Sequence, residues 1–487
     1  MRECVVSLDI DTTGIKAIAY GEDGAALGSA YHEYPLIVQS DTWIEQDAEL
    51  WWRLSLQAMG EALAQGNGRA KCLSISSQGI SIVPVDARCQ PLANAISWLD
   101  LRAEAELAEI LAQRDEGELF RLTGKRVTPA YVLPKLLWLR RHRPGLFQNA
   151  AQFLMPMDLV IAKLTGRAVT DHSLAGGTML YDIGRQDWDE GLAGAFGIDL
   201  NWLPRLAWAG TPVGEAQGEE AARWGLEGAL VVLGAQDQKA AALGAGLAPG
   251  IATISLGTAG AVEFLANQPV ADPQRRIPCF SYTAPGQWVL ESVLPPAGAA
   301  LKWLRNTLFP NRSYDELGEM AAAAEPGCHG VRFLPHLAGS GSPLWRNDAR
   351  GAFLGLSLNA GPEDLVRALM EGVAFQLRRN VEAARSLGVG VEALRVFGGG
   401  SKSSAFCGII ASATGIPVTA YGDPEVSCLG AAALAARGAG LDAAPFQAGR
   451  EGKRVYEPAL APQYNELYQA YSCQEDALLC QPLLDAK

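Results

Sequence analysis

The chain has 487 residues, more than one hydrophobic core sustains, so two or more domains are expected. A formal charge of −13 argues against nucleic acid or an anionic membrane as the main partner, though not against nucleotides, which need only local donors and a metal. Hydrophobic residues at 49% and charged residues at 19% describe an ordinary globular composition, and no uninterrupted apolar run approaches the length of a membrane span.

In chain order, the apolar run Val5 to Ile10 breaks at Asp11-Thr12-Thr13-Gly14 and resumes as IKAIAY, which reads as strand, tight turn and strand. Asp9 and Asp11 are two apart, so a strand places them on one face. They also interrupt the apolar run too early for a signal peptide. Further strands are expected over 25–34 and 71–77, with a helix from Glu49 to Ala64. Helical patterns dominate 101–225, as in LRAEAELAEILAQR and LPKLLWLRRHRPGLF. VVLGAQDQKAAALGAGLAPG then reads as strand, loop, helix and a Gly/Pro exit, the expected interdomain joint. ATISLGTAGAVEFLA follows, then a helical block over Pro362 to Ser386, then strand, glycine cluster and helix in LRVFGGGSKSSAFCGIIASATG. Strands alternating with helices imply α/β domains with buried sheets. After Ala444 the tail QYNELYQAYSCQEDALL has helical periodicity and is expected to pack back as a terminal helix.

An internal echo adds to this. Asp9 to Gly14 and Ser255 to Gly260 superpose at an offset of 246, each as a strand, a Thr-containing turn and a strand, which suggests a duplicated fold closing on a nucleotide. GxxxxGK[ST] is absent, and no GxGxxG opens a helix beside a suitable acidic partner. What remains is turns rich in Thr and Gly, whose N–H groups and hydroxyls can hold phosphate oxygens without a lysine. The cluster Phe397 to Ser401 lets a flat ligand approach the backbone, or serves as an ordinary turn. Asp237 sits between a strand and a helix, where it is either a helix cap or a catalytic carboxylate. The nine scattered cysteines include no CxxC and read as reduced thiols, and the five histidines include no HxxxH, so a zinc site is not expected.

The segments DIDTTGIK, WIEQDAELWW, LPKLLWL, TDHSLAGGT, GAQDQKAAALG, SLGTAG, GAFLGLSLNAGPEDLVRALMEG and FGGGSKS, in this order and spacing, resemble the FGGY family of carbohydrate kinases, and within it most closely the xylulokinases. The resemblance implies two ribonuclease-H-like α/β domains of the actin, hexokinase and chaperone ATPase type with a cleft between them. The boundaries expected are 1–245 for the sugar-binding domain with the first phosphate hairpin, 246–445 for the nucleotide domain, and 446–487 for the tail. It implies Mg²⁺ at Asp9 through water, with Asp11, where the family has glycine, either an added metal or water ligand or a solvated turn residue. Thr12, Thr13 and Lys16 would serve the first phosphate hairpin and Gly257 and Thr258 the second, while Gly298 and Lys302 would approach the nucleotide. Gly398, Gly399 and Ser403 would line the adenosine pocket, although Phe406, Gly408 and Ser412 stand where the family more often has Trp, Gln and Asp.

For the acceptor the resemblance points to Gln78, Gly79, Asp100, Arg102 and Asp237, with Asp237 as general base. The other readings are a strand-end amide for Gln78 and a surface ion pair for Asp100 with Arg102. Gly79-Ile80 replaces the polar pair that reads the substrate, so the sugar is not named by this loop. Trp98 and His172 are further candidates, with core packing expected for Trp98; Trp43, Trp51 and Trp52 are expected to pack a sheet against a helix. The implied function is ATP- and Mg²⁺-dependent phosphorylation of a small sugar or polyol, such as D-xylulose to its 5-phosphate, in the cytoplasm. Other acceptors (ribulose, erythritol, gluconate, glycerol) and a non-catalytic ATP-dependent switch are the rivals. Kinases of this kind are often dimers, so a homodimer is admissible; no nucleic acid or membrane partner is expected.

Overall fold

The N-terminal strand–turn–strand consists of β1, Arg2–Ile10, and β2, Gly14–Tyr20. The computed structural model describes residues 2–257, 260–294, 297–422, 425–449 and 452–479. After β2 come β3 (Ala26–Glu33), α1 (Ala48–Gln65), β4 (Gly68–Ser77) and α2 (Val132–His142). Then follow β5 (Pro212–Glu215), β6 (Leu230–Gln236) and α3 (Asp237–Gly244). The second half begins with β7 (Gly250–Leu256), β8 (Gly260–Ala266), β9 (Trp288–Leu294), α4 (Ala297–Leu308) and α5 (Tyr314–Ala323). It continues with α6 (Pro362–Ser386), β10 (Val391–Phe397), α7 (Ser404–Thr414) and β11 (Val418–Tyr421). The last elements are α8 (Val426–Gly438), β12 (Lys453–Tyr456) and α9 (Ala461–Leu479).

The elements form two compact units, neither of them a continuous stretch of chain. One comprises Met1–Gly244, Asn267–Val289 and Val426–Gln447; the other comprises Ala245–Ala266, Leu290–Glu425 and Ala448–Lys487. In the first, the strand order is β5-β6-β4-β1-β2-β3. β1 and β2 pair antiparallel, whereas β1 with β4 and β4 with β6 pair parallel. In the second, the sheet contains β9-β8-β7-β10-β11-β12 in succession, with β7 and β8 antiparallel and β7 with β10 and β10 with β11 parallel. The same hairpin-then-parallel pattern therefore occurs twice, as the sequence echo suggests. Parallel neighbours require crossover connections, which explains the long helical insertions between them.

Burial follows from this pairing. Val5 to Ile10 of the central β1 are covered on both faces, so that even Ser7 and Asp9 are buried. α1 is capped by Asp47, whose carboxylate takes the Glu49 N–H at 2.9 Å, and its Trp51 and Trp52 are buried. In the second unit α9 lies on α6, where Phe375 meets the rings of Tyr464, Tyr468 and Tyr471 at 6.0, 5.8 and 5.0 Å. Among the described residues no helix is long and apolar enough to cross a membrane.

α8 returns from far along the sequence to lie against α3, β1 and β4 of the first unit. Its sequence, VSCLGAAALAARG, is nearly all small, so its backbone comes very close to that of α3. A Cβ added at Gly430 would lie 1.8 Å from the Ala240 carbonyl oxygen, and one at Gly244 would lie 2.2 Å from that of Val426. Gly430→Ala is accordingly expected to force the helices apart and cost about 1–3 kcal/mol. Urea unfolding checks this, and an unchanged midpoint would refute it.

Candidate functional site

In open sheets with parallel strands, ligands bind beyond the carboxyl ends of the strands. At that edge of the first unit, β1 ends on Asp9-Ile10, β4 on Ser77 followed by Gln78, and β6 on Gln236 followed by Asp237. Register makes these neighbours: Asp9 lies beside Ser76, Ile10 beside Ser77, and Ser77 beside Gln236. Sequence-distant Asp9, Gln78 and Asp237 thus gather at one end of the sheet.

Asp9 is buried and lies opposite Lys16 across the hairpin, whereas Asp11 has left the strand and is exposed in the turn. The Asp11 N–H closes the turn on the Gly14 carbonyl at 2.9 Å. The turn's own carbonyls are satisfied from inside the fold. Tyr34 donates its hydroxyl to Asp11 O and its N–H, at 3.0 Å, to Thr13 O, while Gln46 Nε2 donates to Thr12 O at 2.7 Å. With the carbonyls turned inward, Thr12 and Thr13 at the tip remain half-buried and exposed, respectively.

Asp237 opens α3 and is half-buried. Its Oδ1 accepts the Gln238 N–H at 2.6 Å and the side-chain amide of Gln236. The Gln236 N–H in turn donates to Ser173 Oγ at 2.9 Å. Asp171 caps the short helical turn bearing Ser173, and burial pushes its carboxyl up to about 6. His172 stacks on Trp208 with centroids 3.7 Å apart and shares a hydrogen bond of 2.8 Å with Tyr181. Burial pushes its imidazole down to about 4, so it is neutral at pH 7.

Of the residues expected on the acceptor side, most polar atoms are already engaged within the fold. Gln78 is buried, and its amide reaches Gln46 at 3.2 Å and Ser81 at 3.2 Å. Gly79 leaves little room: an added Cβ would sit 3.3 Å from Gln236 Cγ. Asp100 and Arg102 are not a surface ion pair. Arg102 grips Asp100 through Nε at 2.9 Å and Nη2 at 2.8 Å, reaches Glu45 at 2.9 Å, and lies over Trp43 at 4.3 Å and Trp138 at 5.0 Å. The pair is buried, and Asp100 also takes the Ile44 N–H at 2.6 Å. Trp98 departs from the expected core packing. It is 37% exposed and donates its indole N–H to Thr12 Oγ1 at 2.9 Å.

Three functional candidates were not singled out by sequence reasoning: Tyr34, Gln46 and Lys135. Gln46 lies inside WIEQDAELWW, where the tryptophans carry the stronger signal; Lys135 is the lone charge within the apolar run of LPKLLWL, a legible sign. Lys135 Nζ donates to the Ile80 carbonyl at 2.8 Å, and Ile80 has φ +53, a left-handed conformation unusual for a β-branched residue. Burial pushes the Lys135 amine down to about 7, partly opposed by Asp100 and reinforced by Arg102.

In the second unit β7 runs beside β10, with Ser255 opposite Phe397, so Gly257 and Gly398 follow adjacent strand ends. Gly398 has φ +88, and an added Cβ would sit 3.2 Å from the Leu256 carbonyl and 3.4 Å from the Gly257 nitrogen. Only glycine fits there. Gly298 N donates to Gly257 O at 3.1 Å, Gly399 is exposed, and Lys302 is exposed on α4. Ser403 caps α7 through the Phe406 N–H at 3.3 Å. Thr258 lies outside the described residues. Gly408 and Ser412 line a cavity of about 450 Å³ with Ile409, Tyr456 and Tyr464.

The folded-state value of Lys135 lies below the usual 10.5, so between about pH 7 and 10.5 the folded protein binds fewer protons than the unfolded chain. Stability from this group therefore rises with pH across that window and is lost as pH falls through about 7. The stability of the natural protein relative to Lys135→Met is expected to increase from pH 7 to pH 10 in urea titrations. A pH-independent difference would contradict the assignment.

The model of the FGGY family of carbohydrate kinases, N-terminal domain, matches residues 4–244, and that of its C-terminal domain matches residues 252–439. The chain is 30% identical to a xylulose kinase of Bacillus subtilis, covering 96% of this chain and 95% of that one. It is 31% identical to a glycerol kinase of Gloeobacter violaceus, covering 93% and 92%. Among solved structures, xylulose kinase from Rhodospirillum rubrum superposes with a TM-score of 0.89 at 28% identity, covering 98% of this chain and 99% of that one.

Proposed function

The chain belongs to the FGGY family of carbohydrate kinases, and from that premise we propose that it transfers the γ-phosphoryl of ATP to a hydroxyl of a ketopentose such as D-xylulose, with Asp237 as the general base. The family membership makes it a phosphotransferase acting on a sugar hydroxyl, with ATP as donor. What supports the residue roles is the gathering of Asp9, Gln78 and Asp237 at the carboxyl ends of three parallel-paired strands.

Phosphoryl transfer passes through a loose transition state, so the base chiefly orients the alcohol and takes its proton late. Asp237 suits this task. Its Oδ1 is held by the Gln236 amide and the Gln238 N–H, which orients the carboxylate at the start of α3. Thr12, Thr13 and Lys16 take one part of the phosphate chain and Gly257 and Thr258 another. Gly298, Lys302, Gly398, Gly399 and Ser403 serve the rest of the nucleotide, and Gly79, Asp100 and Arg102 shape the acceptor side with Gln78.

Among the described residues no three His, Cys, Asp or Glu side chains group into a metal cage. One or two carboxylates are what Mg²⁺ needs, because it arrives with phosphate oxygens and retained waters. Asp9, buried at the strand end, and Asp11, exposed two residues on, meet that requirement. When bound, the ion neutralises charge on the transferring phosphoryl. We place the protein in the cytoplasm, the setting that nine scattered cysteines with no CxxC pair suggest.

Xylulose is favoured by the relatives, but a glycerol kinase is as similar in identity as a xylulose kinase. ADP release across a panel of ketoses, polyols and sugar acids tests the acceptor. D-xylulose should give the highest kcat/KM; another substrate in first place would reassign it, and acceptor-independent release would favour an ATP-driven switch. Asp237→Asn should lower kcat by about 10²–10⁴-fold while nucleotide Kd stays unchanged; near-normal turnover would remove Asp237 from the mechanism. Asp11→Gly should raise the Mg²⁺ concentration for half activity, whereas an unchanged Mg²⁺ dependence would make Asp11 a turn residue only.

A further inference from the structure

The hydrogen bonds around the 11–13 turn close into a ring. From Thr12 O the circuit runs to Gln46 Nε2 at 2.7 Å, from Gln46 Oε1 to Gln78 Nε2 at 3.2 Å, and from Gln78 Oε1 to Ser81 Oγ at 3.2 Å. Ser81 Oγ accepts the Trp98 N–H at 3.0 Å, and the Trp98 indole returns to Thr12 Oγ1 at 2.9 Å. Tyr34 braces the ring from below: its hydroxyl donates to Asp11 O and receives Gln46 and Gln78, each at 3.4 Å. Gln46, Gln78 and Ser81 are fully or almost fully buried, and Trp98 is the one member substantially open to solvent.

Each bond fixes a direction. Gln46 can donate to Thr12 O and accept from Gln78 only in one amide orientation, and that orientation sets the Gln78 amide so that its oxygen meets Ser81. Because Thr12 Oγ1 accepts from the indole, its own proton is directed elsewhere. Buried networks of this kind act as a unit, so opening one bond is felt by all members. The ring therefore joins the 11–13 turn to the exposed indole directly through Thr12 Oγ1, and to Gln78 through Gln46 on one side and Ser81 on the other.

We infer that Gln46 and Tyr34 are positioning residues for phosphoryl transfer, and that the ring transmits the state of the acceptor side, through Trp98 and Gln78, to the backbone of residues 11–13. The inference rests on the placement of nucleotide phosphates at that turn proposed above. Neither residue needs to touch a substrate: Gln46 acts by holding Thr12, and Tyr34 by holding Asp11 and Thr13 on either side of it.

Gln46→Glu is the sharpest probe, since it keeps an oxygen for Gln78 and removes the N–H given to Thr12 O. Tyr34→Phe removes one hydroxyl at constant shape and serves equally if the first variant does not fold. The readouts on the full chain are amide deuterium exchange at residues 11–14 without ligands, the melting temperature, and kcat and KM for ATP and the best acceptor. Gln46→Glu should exchange at least fivefold faster at the turn and lose at least tenfold in kcat, with KM for the acceptor within threefold. The double variant Gln46→Glu, Trp98→Phe should be no more than twofold slower than Gln46→Glu alone, because the ring is already open. Unchanged exchange and kcat, or a double variant whose loss is the product of the two single losses, would overturn the inference. If the natural protein transfers phosphate to no acceptor, the function proposed above fails, while the exchange measurement still decides whether the ring holds the turn.

Discussion

Parallel pairing of β1 with β4 and of β4 with β6 places three strand ends at one edge of a sheet, and the candidate site of the first unit depends on that alignment. A strand can contribute only one or two side chains beyond its last ladder bond, so a multi-residue site needs several strands ending together. The register supplies it: Asp9, the backbone before Gln78, and Gln236-Asp237 are neighbours because their strands are. The crossovers that parallel pairing demands also bring helix starts to the same edge, and α3 begins directly on Asp237.

Around this edge, the buried ionisable groups Arg102, His172 and Lys135 are paired or shifted toward their neutral forms. Removing a charge from water costs several kcal/mol unless partners compensate. Arg102 answers this with a bidentate carboxylate, a second carboxylate and two indole faces. His172 and Lys135 answer it by moving toward their neutral forms. The result is a scaffold whose loops over 78–81 and 97–102 are held from inside. That rigidity suits a reaction in which positioning supplies most of the catalysis.

The second unit repeats the topology with different local chemistry. Its hairpin lacks the two aspartates of the first, and Gly398, at φ +88, lets the backbone there pass close to Leu256.

Local patterning determined much of this protein by itself. The first strand β1, the Thr-Gly turn, the strand–helix junction at Asp237 and the repeated hairpin were all legible, because each depends on neighbours within a few residues. The family motifs added order and spacing over most of the chain. Only the tertiary structure decided the rest. That α8 belongs with the first unit depends on a backbone contact between Gly430 and Ala240, nearly two hundred positions apart, for which no local rule exists. That Asp100 and Arg102 are buried, that Trp98 bonds to Thr12 instead of filling a core, and that Gln46 reaches Thr12 and Lys135 the Ile80 carbonyl, depend on which side chains meet. Hydrogen bonds between distant segments are set by packing of whole strands and helices, and an amide or amine in the sequence carries no mark of the partner it will find.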